Sequence, residues 1–155
     1  MEKDDKEIIL EQYKIYSDAK ENFIDRQFTN NRFYLVLNLI ILITAYILAT
    51  LTPQFQPVII LSMIGFAITL MWWMSIDSYL TLIKIKYANV LEYLETKLPE
   101  QPYNKEYQDY KSTKKKKNLI VFGDVQKIIA LAIGCVYLYT IAFNITELIK
   151  YRILG

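Results

Sequence analysis

One segment constrains the fold of this chain more than any other: an apolar run that does not stop where a membrane would. Residues 58–74 (VIILSMIGFAITLMWWM) carry no charge. At about 1.5 Å per residue the run approaches the roughly 30 Å of bilayer hydrocarbon. Trp72 and Trp73 close it, at the level where amphipathic rings settle among headgroups. Neither Gly nor Pro interrupts the sequence from there to Leu98. Ile76, Leu80, Ile83, Tyr87, Val90 and Leu94 follow at 4-3-4-3-4 spacing, a heptad stripe. The pattern predicts one helix from residue 57 to 98 that crosses the bilayer and projects about 35 Å into water.

Two further runs, residues 33–51 and 128–145, are also free of charge. With 54% hydrophobic residues in a chain of 155, this places the protein outside the water-soluble class. The expected fold is all-α, a membrane protein of three transmembrane helices with long cytosolic helical extensions. The first apolar run begins at residue 33 behind an acidic and polar leader, which argues against a cleavable signal peptide.

Composition also removes chemistry. The chain has no His, one Cys and four scattered Gly. Zinc ligand sets with His, Ser-His-Asp triads and Cys-His pairs are excluded. A phosphate cradle needs clustered Gly, and no disulfide forms within a chain of one Cys. Cys135 lies in the third run and reads as a small buried hydrophobe. The expectation is a protein that is not an enzyme and uses no cofactor or metal.

Five segments follow. Residues 1–32 form a cytosolic N-terminal helix whose Ile9, Tyr13, Tyr16 and Phe23 share a face. No Pro or Gly separates it from the first span, and Asn30-Asn31 is the expected place for a bend. Residues 33–74 form a transmembrane hairpin (33–51 and 57–74) around a short turn with Pro53 and Pro57 at its ends. Residues 75–98 are a coiled-coil-like extension of the second span. Residues 99–118 are a basic cytosolic linker, and residues 119–155 hold the third span and a short tail. Arg26 and Arg32 flank the first span, the turn at Pro53 has no basic residue, and ten lie between spans two and three. This bias puts the N-terminus in the cytosol and the C-terminus on the other side.

Four constellations are candidates for function. The heptad stripe of Ile76, Leu80, Ile83, Tyr87, Val90 and Leu94 is an assembly seam, covered either by the leader's own apolar face or by another subunit. Ser62, Gly65 and Thr69 on span two, and Ala132 with Gly134 on span three, are small residues that let helices approach closely. Asn38, Thr44, Tyr137, Tyr139 and Asn144 are polar at membrane depth, where each needs a partner or water. They bond between helices or line an aqueous path. Lys111, Lys114, Lys115, Lys116 and Lys117 suit anionic lipid, or an anionic signal such as a nucleotide or oligonucleotide. Glu92, Glu95, Glu100, Glu106 and Asp109 read as a solvated face.

Some of these residues also carry a resemblance. Trp72, Ile76, Ser78, Tyr79, Leu82, Lys86, Tyr87, Leu94-Glu95, Leu98-Pro99, Pro102-Tyr103 and Glu106-Tyr107 resemble the signature of RipA-like octameric membrane proteins and the related SLATT group. The leader is similar through Glu11-Gln12-Tyr13-Lys14, Tyr16, Arg26, Asn31, Phe33-Tyr34-Leu35 and Asn38. A paired Arg expected near Arg26 is single, and a polar residue expected after Leu82 is Ile83, which bears on particular polar contacts. The resemblance implies small proteins that oligomerise in the bacterial inner membrane, some of them pore-forming effectors of antiviral conflict systems. The expected partners are the lipid bilayer, other copies of the chain, and a nucleotide or oligonucleotide signal or a cytosolic regulatory protein. The expected function is a homo-oligomeric pore or channel that permeabilises the membrane on a cytosolic signal. The alternative is a non-conducting scaffold that recruits a cytosolic partner.

Overall fold

The computed structural model describes residues 3–52, 55–83, 89–99, 101, 104–105, 107–109, 112 and 122–154. Among these there is no strand, and the helices are α1 (Lys3–Leu51), α2 (Phe55–Leu82), α3 (Asn89–Glu95) and α4 (Phe122–Leu154), with residues 104–105, 107–109 and 112 also helical. Three of them, α1, α2 and α4, are long and apolar enough to cross a membrane. The chain is an all-α protein built on three candidate membrane-spanning helices.

Helix α1 is unbroken from the leader into the first span, 49 residues or about 73 Å. The expected bend at Asn30-Asn31 is absent from its helical hydrogen bonding. Asn favours turns by bonding its own backbone, but here the amides reach another helix. Asn30 Nδ2 donates to Ser75 Oγ at 2.7 Å, and Asn31 Oδ1 accepts from Trp72 Nε1 at 2.9 Å. The helix ends where Thr52 takes over the last turn. Its N–H donates to the Leu48 carbonyl at 3.0 Å and its hydroxyl to the same oxygen at 2.7 Å. Pro53 follows, and a residue before proline is pushed out of the helical region.

Helix α2 begins at Phe55, earlier than the expected Pro57. Proline is tolerated there because the first-turn N–H groups have no intrahelical acceptor. At its far end α2 runs to Leu82 and Ile83 continues it in a wider π-turn, while α3 (Asn89–Glu95) ends short of the predicted Leu98. After Glu95 the chain tightens, with Lys97 and Leu98 each donating to a carbonyl three residues back. Pro99 accounts for an ending short of Leu98. Residues 84–88, with Tyr87 among them, lie outside the described residues.

The chain forms two compact units, one of Met1–Phe28 with Asp77–Phe122 and one of Thr29–Ile76 with Gly123–Gly155. In the second unit α1, α2 and α4 pack together, with Tyr137 of α4 reaching both other helices. The buried residues of α2 are Val58, Ser62, Gly65, Thr69, Trp72 and Ile76, a 4-3-4-3-4 spacing that gives one face to the bundle. Large apolar side chains such as Ile60, Met63, Leu70, Met71 and Met74 point outward. Small and polar Ser62, Gly65 and Thr69 inside, between Val58 at one end and Trp72 and Ile76 at the other, suit helices packed in lipid, where no hydrophobic force drives association.

In the first unit Leu91, Leu94 and Glu95 are buried on α3. Phe23 on α1 packs against Tyr79 on α2 with ring centroids 5.0 Å apart.

Candidate functional site

The polar residues of the spans meet around Tyr137. Its side chain is fully buried, and its hydroxyl donates to the Asn38 carbonyl at 3.0 Å. This is a second bond on a carbonyl that already serves α1, and it joins α4 to α1. The Tyr137 ring lies on the backbone of Gly65, where any Cβ would collide with it. A glycine on α2 is therefore what allows the tyrosine of α4 to reach α1. One side chain ties all three helices.

Asn38 and Thr69 complete the tie. Asn38 is fully buried, and its Nδ2 donates to the Tyr34 carbonyl at 2.9 Å. Thr69 Oγ1 lies 2.7 Å from Asn38 Oδ1 and 2.9 Å from the Gly65 carbonyl, with a single hydrogen to serve both acceptors. One turn further along α2, Trp72 donates to Asn31 and stacks on Tyr34 with centroids 6.4 Å apart. Asn31 Nδ2 and Ser62 Oγ are buried without a hydrogen-bond partner among the described residues. In hydrocarbon each such bond holds the helices by about 0.6 kcal/mol on average and 1.7 at most. The polar seam is a specific lock, but not a strong one.

The candidate polar residues thus divide. Asn38 and Tyr137 bond to one another inside the bundle. Asn144 is buried and Thr44 is exposed, and each satisfies its own helix: Asn144 Nδ2 donates to the Thr140 carbonyl at 2.8 Å, and Thr44 Oγ1 to that of Ile40 at 2.8 Å. Tyr139 points away from the bundle, 71% exposed and stacked on Phe143 with centroids 6.2 Å apart.

Of the heptad stripe, Ile76 and Leu94 are buried within the chain, while Leu80, Ile83 and Val90 are half-buried. The leader supplies partners for this region, since Tyr13 donates to Glu95 Oε1 at 2.9 Å and Phe23 packs on Tyr79. Tyr87, Lys111, Lys114, Lys115, Lys116 and Lys117 lie outside the described residues.

Four expectations need correction, the first being Cys135, which is exposed on α4 and not buried. Glu95 does not belong to a solvated face: it is fully buried, with Oε1 bonded by Tyr13 and Oε2 accepting the Asn104 N–H at 2.7 Å. A buried carboxylate persists only with such donors. Ala132 is exposed, and the close-approach residues of α4 are Ala130 and Gly134. Trp72 is an interior residue at 2% exposure, so the interfacial ring is Trp73 alone, with the Lys127 ammonium 5.7 Å above it. The sequence reading also missed the Asn31–Trp72 bond, although the same heptad step that marks Ile76 leads back through Trp72 and Thr69 to Val58.

No curated protein and no solved structure matches this chain. The profile of the octameric membrane protein family (8xMP) matches residues 10–146. That match covers both compact units and nearly the whole chain, which belongs to the octameric membrane protein family.

Proposed function

We propose that the chain assembles as a homo-octamer in the bacterial inner membrane and forms or gates a pore that permeabilises the membrane on a cytosolic signal, in antiphage defence. The observation that carries this reading is the continuity of α1. One helix begins in the unit that holds Tyr13 and Phe23 and continues into the span that holds Asn38. A change in the packing of the leader reaches the polar seam through the unbroken hydrogen bonding of α1, and the seam's individual bonds are weak enough to exchange. A ligand acts on such a system only through contacts that differ between two states.

The Lys and Arg bias supports a cytosolic leader and a cytosolic basic linker. There Lys111 and Lys114 to Lys117 receive an anionic nucleotide or oligonucleotide, or a regulatory protein acts on the leader and α3. No catalysis is involved. Within one chain only 17%, 28% and 22% of the apolar windows of the three spans are buried, which leaves ample surface for neighbouring subunits.

Planar-bilayer recording of the purified oligomer tests the proposal. Discrete conductance steps support it, and silence across activating nucleotides and voltages sinks the pore. The same recording separates a pore from a scaffold through Tyr139→Leu, an outward position that leaves the bundle intact. Asn38→Leu is unsuited because it breaks the core. Altered conductance or toxicity in Tyr139→Leu favours the pore, and indifference favours a scaffold.

A further inference from the structure

We infer that the groove between α2 and α4 holds one phospholipid, its acyl chain along apolar walls and its headgroup charges against Lys127 and Asp124. The site lies within a single chain, so it stands apart from the proposed pore and octamer. The groove has a volume of about 290 Å³. Its walls include Phe66, Leu70 and Trp73 of α2 and Leu131, Gly134 and Leu138 of α4. The Thr69 hydroxyl, also in the wall, bonds to Asn38 Oδ1 and the Gly65 carbonyl. The walls suit hydrocarbon.

Depth selects a chain from one leaflet. Tyr137 stands midway between Lys127 and Glu147, about 15 Å from each along α4, which puts it at the bilayer midplane. Its ring rests on Gly65, so Gly65 shares that level. Leu138 and Phe66 are the next residues in sequence, and Trp73 lies about 12 Å from Gly65 along α2. The groove thus runs from the midplane to headgroup level, in the half of the bilayer where α4 begins. A neighbouring subunit's helix crosses both leaflets and needs a groove about twice as long. A Cβ at Gly134 would meet the Thr69 and Phe66 side chains at 3.7 and 3.8 Å, ordinary contact. Packing of α4 on α2 therefore does not demand glycine there, and its missing side chain keeps the floor open.

The mouth identifies the headgroup. The Lys127 ammonium stands 5.7 Å from the centroid of the Trp73 ring, at the headgroup end of the groove. Asp124, Lys127, Leu131, Gly134 and Leu138 follow at 3-4-3-4 spacing, so both charges share the face of α4 that forms the groove. Asp124 is exposed and lies about 4.5 Å further from the midplane than Lys127. A cation nearer the hydrocarbon and an anion outside it match phosphatidylethanolamine, whose phosphate comes first and whose ammonium lies beyond. Phosphatidylglycerol has no cation for Asp124, and the methylated ammonium of phosphatidylcholine has no N–H to donate. In lipid a chain gains no hydrophobic energy by entering a groove. These charge-assisted bonds therefore decide which lipid stays.

The test is native mass spectrometry of the full chain in micelles titrated with dioleoyl phosphatidylethanolamine, phosphatidylglycerol or phosphatidylcholine. Phosphatidylethanolamine should saturate at one per chain and bind about tenfold more tightly than either other lipid. Equal retention of all three is adventitious lipid only and overturns the inference. A preference for phosphatidylglycerol overturns it too, since the lysine-rich linker would then be the site. Gly134→Leu fills the floor and should weaken retention about tenfold or more with the state of assembly unchanged. Unchanged retention overturns the groove as the site. A Gly134→Leu protein that stays folded but falls apart also overturns it, because a neighbouring subunit would then be the occupant. Exchange of the two charges, Asp124→Lys with Lys127→Asp, leaves the apolar walls and the net charge intact. It should abolish the preference for phosphatidylethanolamine, and a preference that persists overturns the assigned order of charges.

Discussion

In the unit that holds the spans, polar Asn38, Ser62, Thr69, Tyr137 and Asn144 are buried beside Ile41, Val58, Trp72 and Ile76, while many large aliphatic side chains turn out. In the other unit Leu91 and Leu94 turn inward beside one carboxylate, Glu95. The contrast reflects two solvents. In water, burial of Leu91 and Leu94 is itself a driving force, about 25 cal/mol per Å² of apolar area, and it can support a buried charge that is well bonded. In lipid an aliphatic side chain gains nothing by turning inward, so close contact and hydrogen bonds decide which face packs. The same 4-3 spacing serves both ends of α2, filled with Ser62, Gly65 and Thr69 at one end and Leu80 and Ile83 at the other.

Substitutions that exchange the two logics should break this contrast most. Gly65→Ile places a branched side chain where the Tyr137 ring lies, and overpacking of this kind costs about 3 kcal/mol or more. The expected outcome is loss of the folded bundle, read as aggregation on size-exclusion chromatography in detergent. Glu95→Ala leaves the Tyr13 hydroxyl and the Asn104 N–H without their acceptor, at about 2 kcal/mol. Hydrogen exchange in residues 6–28 should rise about thirtyfold, since each 1.4 kcal/mol is a factor of ten.

Smaller changes sharpen the contrast. Tyr137→Phe keeps the ring on Gly65 and loses one interhelical bond, so it should cost about 0.6 to 1.7 kcal/mol in a steric-trap or denaturant titration in micelles. Thr44→Val removes a bond that only serves its own helix, and the isolated protomer should be unchanged within about 0.5 kcal/mol. If Thr44→Val destabilises as much as Tyr137→Phe, the distinction between bonds across helices and bonds within them fails.

Much of the fold was legible because charge-free runs and prolines mark spans and turns without reference to packing. The facing of the helices was harder to read. In a span that is apolar all round, periodicity cannot say which side turns inward. Ser62, Gly65 and Thr69 stood out because small residues recur at heptad spacing, but Ala132 and Ala130 look alike in sequence and only Ala130 is buried. Trp72 and Trp73 are adjacent and chemically identical, yet their side chains point about 100° apart on the helix, one inward and one to the headgroups. Glu95 was misread because carboxylates are seldom buried, and its donors come from 82 and 9 residues away. Nothing local announces them.

The central claim is that this three-helix bundle is completed by other copies of itself. Native mass spectrometry of the complex released from nanodiscs tests it most directly. The account predicts a species of eight chains of 18.3 kDa. A complex that remains a monomer at every protein concentration would contradict it.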